Sequence, residues 1–330
     1  MQVNPDIIAF FVCIRSTMRL IRGLHNLRPE DHGCVATIGT FDGVHRGHQA
    51  VFRSLHDVGS KLGLHSTVIT FEPQPMEFFR PDEAPARLTR LREKLQVLQA
   101  CGIDSVLVLE FSRRLASMGA ETFIDEILVR GLGVEHLYVG DDFRFGRARS
   151  GNASMLRDAG ELHGFAVDDM DTHMIDGERV SSTRIRQCLA DDDLETATEL
   201  LGRAYSICGR VSHGDKRGRT IGFPTLNIPA HRRKTPLHGV YAVRVKGLGD
   251  TAVEGVANIG RRPTVNDGKE VILEVHLFNF DREVYGMQIE VEFVAHLRNE
   301  IKFDSFDDLK IQIRNDVIHA QDLHAKASNR

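Results

Sequence analysis

No apolar run in this chain approaches the ~20 residues needed to cross a bilayer as a helix, so no membrane partner is expected. No Cys-x-x-Cys pair occurs either. The five cysteines, Cys13, Cys34, Cys101, Cys188 and Cys208, lie far apart. That argues against a zinc site and a disulfide framework, and points to a reducing, cytoplasmic compartment. Charge of one sign is not in excess. The net charge of -4 gives no global field to recruit nucleic acid or an anionic surface. Any anion must therefore be bound by a local arrangement. Internal repeats and low-complexity tracts are absent. The one suspicious stretch is Ile7 to Ile14, short enough to be a signal-peptide core. However, Asp6 stands where a basic region belongs, and no small-residue cleavage site precedes Arg15. Residues 1–17 therefore read as a non-essential N-terminal extension, with Met18 as a possible initiator.

What is present is 330 residues, and domains of ~100–200 residues make two the natural expectation. The first half alternates strand-like and helix-like segments. Val35–Thr40, Ser66–Phe71, Ser105–Leu109 and Glu135–Val139 read as strands. His48–Leu62, Arg90–Ala100 and Glu121–Val129 read as helices, with Leu91, Leu95 and Leu98 on one face of the second. Such alternation predicts a parallel, Rossmann-like sheet with ligands at the carboxyl ends of its strands. Ser182–Leu201 reads as wholly helical, stopped by Gly202, and carries the domain connection. Beyond Arg203 the period changes to two: Tyr241, Val243 and Val245 alternate with Ala242, Arg244 and Lys246, and Ile289, Val291 and Phe293 with Glu290 and Glu292. An antiparallel β-barrel or sandwich fits. Phe306–Val317 closes the chain as a helix, capped by Ser305. The expected organisation is an α/β module over 18–186, a linker helix over 187–202 and a β-rich module over 203–330.

Two stretches carry chemistry. Thr37 to Gln49 reads TIGTFDGVHRGHQ: a strand end, a Gly-containing loop and a helix start. A helix N-terminus presents unpaired N–H groups to phosphate. Gly39, Gly43 and Gly47 let the backbone approach a ligand. His45 and His48, three apart, can converge on one site. The bland alternative is two unrelated surface histidines among sixteen. A metal is disfavoured, since no third ligand follows at a helical spacing. Val180 to Arg186 reads VSSTRIR, with cap-type Ser181, Ser182 and Thr183 and phosphate-compatible Arg184 and Arg186; an ordinary capped helix is the alternative. In the second half, Gly209 to Ile228 (GRVSHGDKRGRTIGFPTLNI) spaces Gly209, Gly214, Gly218 and Gly222 among Lys216, Arg217 and Arg219. It is a possible phosphate cradle or a basic hairpin, and it is not a P-loop. In Val271–Phe278 one face is Val271, Leu273, Val275 and Leu277. The other holds Ile272, Glu274, His276 and Phe278, too apolar for a plain solvent face. Glu274 there is either a cross-strand ion-pair partner or a base.

TFDGVHRGH with VSSTRIR resembles the nucleotidylyltransferase superfamily. More closely, the first half resembles the FMN adenylyltransferase module of bacterial bifunctional riboflavin kinase/FAD synthetases. RLIRGLHNL (Arg19 to Leu27), FEPQP (Phe71 to Pro75), ARLTRLREK (Ala86 to Lys94) and VGDDFRFG (Val139 to Gly146) agree. PTLN at Pro224 to Asn227 resembles the PTAN motif of riboflavin kinases, with Leu226 for Ala. GVYAV, GVANIGRRPTV, LEVHLFNFD and LRNEIKFDSFDDLKIQI extend that match to about Val317, with Arg261 where the family commonly has Thr.

The resemblance implies two ATP-dependent steps, riboflavin to FMN and FMN to FAD, in a monomer or weak homo-oligomer. In the first module it implies catalytic roles for His45, His48 and Arg184. It places ATP on Gly39, Phe41, Asp42, Gly43 and Ser181–Arg184, and the flavin near Phe71, Pro73, Asp142, Phe143 and Phe145; core packing is the alternative for those aromatics. In the second module it implies ATP binding by Gly209, Gly214, Lys216, Gly218, Gly222, Pro224, Thr225 and Asn227, Mg²⁺ on Thr225 and Asn227, and Glu274 as base. Three other readings compete: an adenylyltransferase with a flavin-sensing β module, a different nucleotidylyltransferase, and a nucleic-acid binder using the basic loop. Retained Thr225, Asn227 and Glu274 oppose the first, and the kinase-like half opposes the second. The third lacks both basic charge and an aromatic platform.

Overall fold

In the computed structural model the described residues are 18–140, 142–213, 223–263 and 269–328. They fall into two compact units. One runs up to Pro85 and includes Arg90–Val180; the other comprises Ala86–Thr89 and the chain from Ser181 onward.

The first unit is a six-stranded sheet of β1 (Arg19–Arg22), β2 (Cys34–Ile38), β3 (His65–Glu72), β4 (Ser105–Glu110), β5 (Val134–Val139) and β6 (Ala166–Asp169), in the order β1-β4-β3-β2-β5-β6. All five pairings are parallel. The central strands are β-branched and buried on both faces, as a parallel sheet requires: β2 has no residue above 2% exposure. Helices α1 (Arg46–Leu62), α2 (Leu91–Ala100) and α3 (Ala153–His163) are crossovers. Leu98 is fully buried, and Leu91 and Leu95 pack on the same cluster with Phe52, Val68 and Val106, so the leucine stripe marks the buried face. The helix expected at Glu121–Val129 forms as an α-helical turn, Ala120–Phe123, followed by a π-helical stretch, Ile124–Val129. From β2 the chain adds β3 and β4 on one side, then β5 and β6 on the other. The strand order thus reverses between β2 and β5, the place where open α/β sheets bind ligands. A small hairpin of β7 (Met174–Ile175) and β8 (Glu178–Arg179) completes the unit.

The second unit starts with two helices where one was expected. α4 (Ser182–Ala190) and α5 (Leu194–Leu201) are separated by three aspartates. Asp192 adopts φ 61°, which ends helical propagation. The Asp193 side chain then caps α5, accepting from the Thr196 N–H at 3.0 Å. The Tyr241 hydroxyl donates to Asp192 Oδ1 at 2.6 Å and fixes the turn. Gly202 ends α5 at φ 73°.

Six antiparallel strands follow: β9 (Ser206–Arg210), β10 (Leu226–Pro229), β11 (Gly239–Lys246), β12 (Val253–Pro263), β13 (Lys269–Leu277) and β14 (Gln288–Arg298), ordered β10-β13-β12-β11-β14-β9. A bridge between Ser212 and Asn227 brings the two edges together into a nearly closed barrel. A Cβ on Gly209 would lie 2.3 Å from Ile228 Cγ2, so that close approach needs glycine. Tyr241, Val243, Val291 and Phe293 fill the interior with Val271, Leu273 and Val275. Helix α6 (Phe306–Ser328) is longer than the Phe306–Val317 expected, with the Asp308 N–H donating to Ser305 Oγ at 3.1 Å. Its Ala320 and Val317 pack on Val240, Val256 and Phe278. Phe278, just past β13, is the member of that strand's second face that packs in this cluster.

Candidate functional site

The loop after β2 converts the TFDGVHRGH motif into geometry. His45 is the N-cap of α1, and its Nδ1 accepts the His48 N–H at 3.4 Å. That bond leaves the His45 proton on Nε2. The two rings stack with centroids 3.5 Å apart at 18°, and the edge of Phe41 meets His48 at 5.1 Å. Gly39 leaves room for the Phe41 ring, since a Cβ there would lie 2.9 Å from it. Phe41, Asp42 and His45 are buried. The His48 pKa is held well below its ordinary value by desolvation, then by the neighbouring His45 and the charge of Lys94. The His48 ring therefore acts as a neutral hydrogen-bonding group. His48 Nδ1 is buried and has no hydrogen-bond partner among the described residues, as expected of a group that meets a polar ligand.

The flavin candidates separate in the structure. Phe71 and Phe145 belong to the core, the latter packed 5.4 Å from Phe123. Phe143 is half-buried and stacks on Phe145 at 5.5 Å. Asp142 is exposed just beyond β5, and Pro73 is half-buried just beyond β3. Sequence reasoning missed a neighbouring aromatic cluster: Phe111 contacts Phe71, Phe78 and Phe79 at 5.8, 5.5 and 5.5 Å, and Phe79 is 60% exposed. The pair Phe78-Phe79 in the helix after FEPQP was the available signal.

VSSTRIR lies in the second unit. Ser181 caps α4, its Oγ accepting the Arg184 N–H at 3.2 Å. Ser182 and Arg184 are half-buried and Thr183 is exposed. Arg186 is engaged structurally, its Nε donating to the Ala86 carbonyl at 2.6 Å.

On the barrel, strand register assembles the other constellation. Glu274 of β13 is directly opposite Asn227 of β10 on one side and Asn258 of β12 on the other, so the three share one face. Thr225, two residues before Asn227, is half-buried like it. Leu226 pairs with Val275, which puts it on the opposite face from Asn227. Val271, Leu273, Val275 and Leu277 are buried while Ile272, Glu274, His276 and Phe278 are half-buried, the alternation read from the sequence. His276 Nδ1 lies 2.9 Å from the exposed Pro224's carbonyl. Asn258 Nδ2 donates to Glu300 Oε1 at 3.1 Å, and Asn258 Oδ1 is buried without a partner among the described residues. Asn258 and Glu300 were missed; an amide inside the apolar run GVANIG was the hint. Gly214, Lys216, Gly218 and Gly222 lie outside the described residues. Among the described residues no group of three His, Cys, Asp or Glu is arranged to hold a metal.

Comparison with known proteins matches each half of the chain to a family. Residues 27–184 match the family model described as FAD synthetase, and residues 201–324 the one described as riboflavin kinase. A bifunctional riboflavin kinase/FMN adenylyltransferase of Haemophilus influenzae is 52% identical over 91% of this chain and 97% of its own length. The Escherichia coli K12 protein of the same description is 52% identical over 93% of this chain and 98% of its own. A crystal structure described as a macrolide-efflux protein from Streptococcus pneumoniae superposes with a TM-score of 0.75 at 29% identity, covering 91% of this chain and 97% of that one. Among the described residues no helix is long and apolar enough to cross a membrane. The chain belongs to the family of bifunctional riboflavin kinase/FMN adenylyltransferases.

Proposed function

We propose that the chain makes FMN from riboflavin and FAD from FMN at two separate sites, using ATP at each. The observation that carries this reading is the pair of constellations: the histidine loop, on the first unit and within the FAD synthetase match, and Thr225, Asn227 and Glu274, on the second unit and within the riboflavin kinase match. Residues 18–186 are assigned to adenylyl transfer and 203–330 to the kinase, with 187–202 between them.

In adenylyl transfer an oxygen of the FMN phosphate attacks the α-phosphorus of ATP, the bond to the bridging oxygen breaks and pyrophosphate leaves. Charge grows on that leaving group. His45 Nε2–H, His48 and the start of α1 are the donors that stabilise it, and positioning supplies the rest. Gly39, Phe41, Asp42 and Gly43 shape the nucleotide pocket. Pro73, Asp142 and Phe143 line the flavin side, Phe71 and Phe145 support it from the core, and Phe79, packed on the half-buried Phe111, offers exposed aromatic surface.

In the kinase step Glu274 takes the proton of the 5′-hydroxyl as that oxygen attacks the γ-phosphorus of ATP. Thr225 and Asn227 offer neutral oxygen donors of the kind Mg²⁺ accepts beside phosphate, and bound there the ion would neutralise charge on the transferred group. The cradle for the phosphates is 209–224. Both substrates are small molecules, so neither nucleic acid nor membrane is a partner. The wide spacing of the five cysteines, with no Cys-x-x-Cys pair, supports a cytoplasmic setting.

Riboflavin, ATP and Mg²⁺ incubated with the purified protein should yield FMN and then FAD, separated by chromatography. FMN that never proceeds to FAD would refute the adenylyl-transfer reading, and an unchanged riboflavin peak would refute the kinase reading.

A further inference from the structure

Helix α2 carries a lysine where its pattern calls for an apolar residue. Lys94 lies three residues after Leu91 and four before Leu98, on the stripe that faces the core. It is 0% exposed. Burying an amine is costly unless its hydrogen bonds are made. Lys94 Nζ donates to the Thr40 carbonyl at 2.5 Å and lies 3.5 Å from Thr70 Oγ1.

The Thr40 carbonyl belongs to the loop that carries the histidine pair, and that loop is strained. Phe41, Gly43 and Val44 all have positive φ, at 45, 83 and 45°. Glycine accepts this; a phenylalanine and a β-branched valine do not accept it without cost. Such conformations persist only where the surroundings over-determine them. Here the surroundings include specific contacts. Phe41 and Val44 are buried in the cluster that holds Leu98 of α2. The Gly39 N–H donates to Ile69 O at 3.0 Å, Gln49 Nε2 donates to Val44 O at 2.9 Å, and Lys94 holds the Thr40 carbonyl at the point where the chain leaves the sheet. His45, one residue past Val44, then starts α1.

We propose that Lys94 is a positioning residue for adenylyl transfer: anchored in α2, it braces the left-handed loop through the Thr40 carbonyl and so holds His45 and His48 in place. This rests on reading the loop as the ATP site. Lys94 touches neither substrate in this account; it acts through the loop.

The test is Lys94→Met in the full-length chain, which keeps the side-chain length and removes the donor. Loss of a charge-assisted hydrogen bond predicts a roughly ten- to hundred-fold fall in kcat for FAD formation from supplied FMN. FMN formation from riboflavin, measured on the same sample, should be unchanged. Hydrogen exchange should quicken across 39–49 and stay slow across 65–72 and 91–100. FAD formation within twofold of the parent, with the loop still protected, would overturn the proposal. So would exchange that quickens equally across 65–72 and 91–100, because Lys94 would then merely support the core. If the methionine variant does not fold, Lys94→Gln is read in the same way. His48→Ala is measured alongside. Full FAD formation by His48→Ala would sink the reading of the loop as the ATP site, and the exchange pattern of the Lys94 variant would still decide the brace.

Discussion

Replacing Glu274 by glutamine isolates the proton transfer in the kinase step. Glu274 is half-buried on β13, between Asn227 and Asn258 in register, on the face partly covered by α6. Glutamine is nearly isosteric, so the strand pairing with Asn227 and Asn258 persists. What is lost is the ability to take a proton. General-base catalysis contributes about 10²–10⁴-fold, equivalent to about 2.7–5.5 kcal/mol of barrier at 1.36 kcal/mol per tenfold. Riboflavin phosphorylation should slow by that range. Riboflavin affinity, read from fluorescence quenching, should change little, and FAD formation from supplied FMN should be untouched. A kinase rate within a few-fold of the parent would remove the base role and leave Glu274 a cross-strand polar partner. A parallel loss of riboflavin affinity would make it a binding residue instead.

His48→Ala should cut FAD formation from FMN by about 10²–10³-fold, the usual cost of one preorganised donor, while FMN formation continues; stoichiometric zinc lost with His48 would refute the assignment. The depressed His48 pKa has a stability consequence of definite sign. The unfolded chain takes up this proton near the ordinary value of 6.5 and the folded one only well below it, so stability should fall as pH drops below about 6.5 and stop falling below the folded pKa. Urea titrations of the parent against His48→Gln should differ in slope by up to about 1.4 kcal/mol per pH unit in that window; identical slopes would contradict the shift. Tyr241→Phe removes the hydroxyl that holds the α4–α5 turn at Asp192 and should cost roughly 1–3 kcal/mol, seen as a lowered Tm without loss of FAD formation at low temperature. An unchanged Tm would mean the turn is fixed by its backbone and Asp193 cap alone.

The sequence made visible what depends on local pattern. The strands β2 to β5 announced themselves as short β-rich runs between helices, and the period of two in 271–278 correctly divided that strand into its two faces. The histidine pair was legible because ring convergence follows from a three-residue spacing at a helix start, whereas the helix begins at Arg46, two residues earlier than read, with His45 as its cap. Features set by tertiary contacts were not. The break in 182–201 needs Tyr241, far along the chain, to anchor Asp192. Ala86–Thr89 joins the second unit because the buried Arg232 reaches the Arg87 and Leu88 carbonyls at 3.1 and 3.4 Å, a pairing with no sequence period. Asn258 and Glu300 gain meaning only once register sets Asn258 beside Glu274. The second face of β13 read as too apolar for a plain solvent face, and its Phe278 packs in the cluster with Val317 and Ala320 of α6.

The central claim is that two independent sites act in series, and mixing two variants tests it most directly. Asn227→Ala should make no FMN but convert supplied FMN to FAD; His48→Ala should make FMN and stop there. Riboflavin, ATP and Mg²⁺ given to either variant alone should yield no FAD, and given to an equimolar mixture should yield FAD through FMN released by one protein and taken up by the other. If either variant, still folded, has lost both activities, or if the mixture accumulates FMN without FAD, the account of two separate sites is wrong.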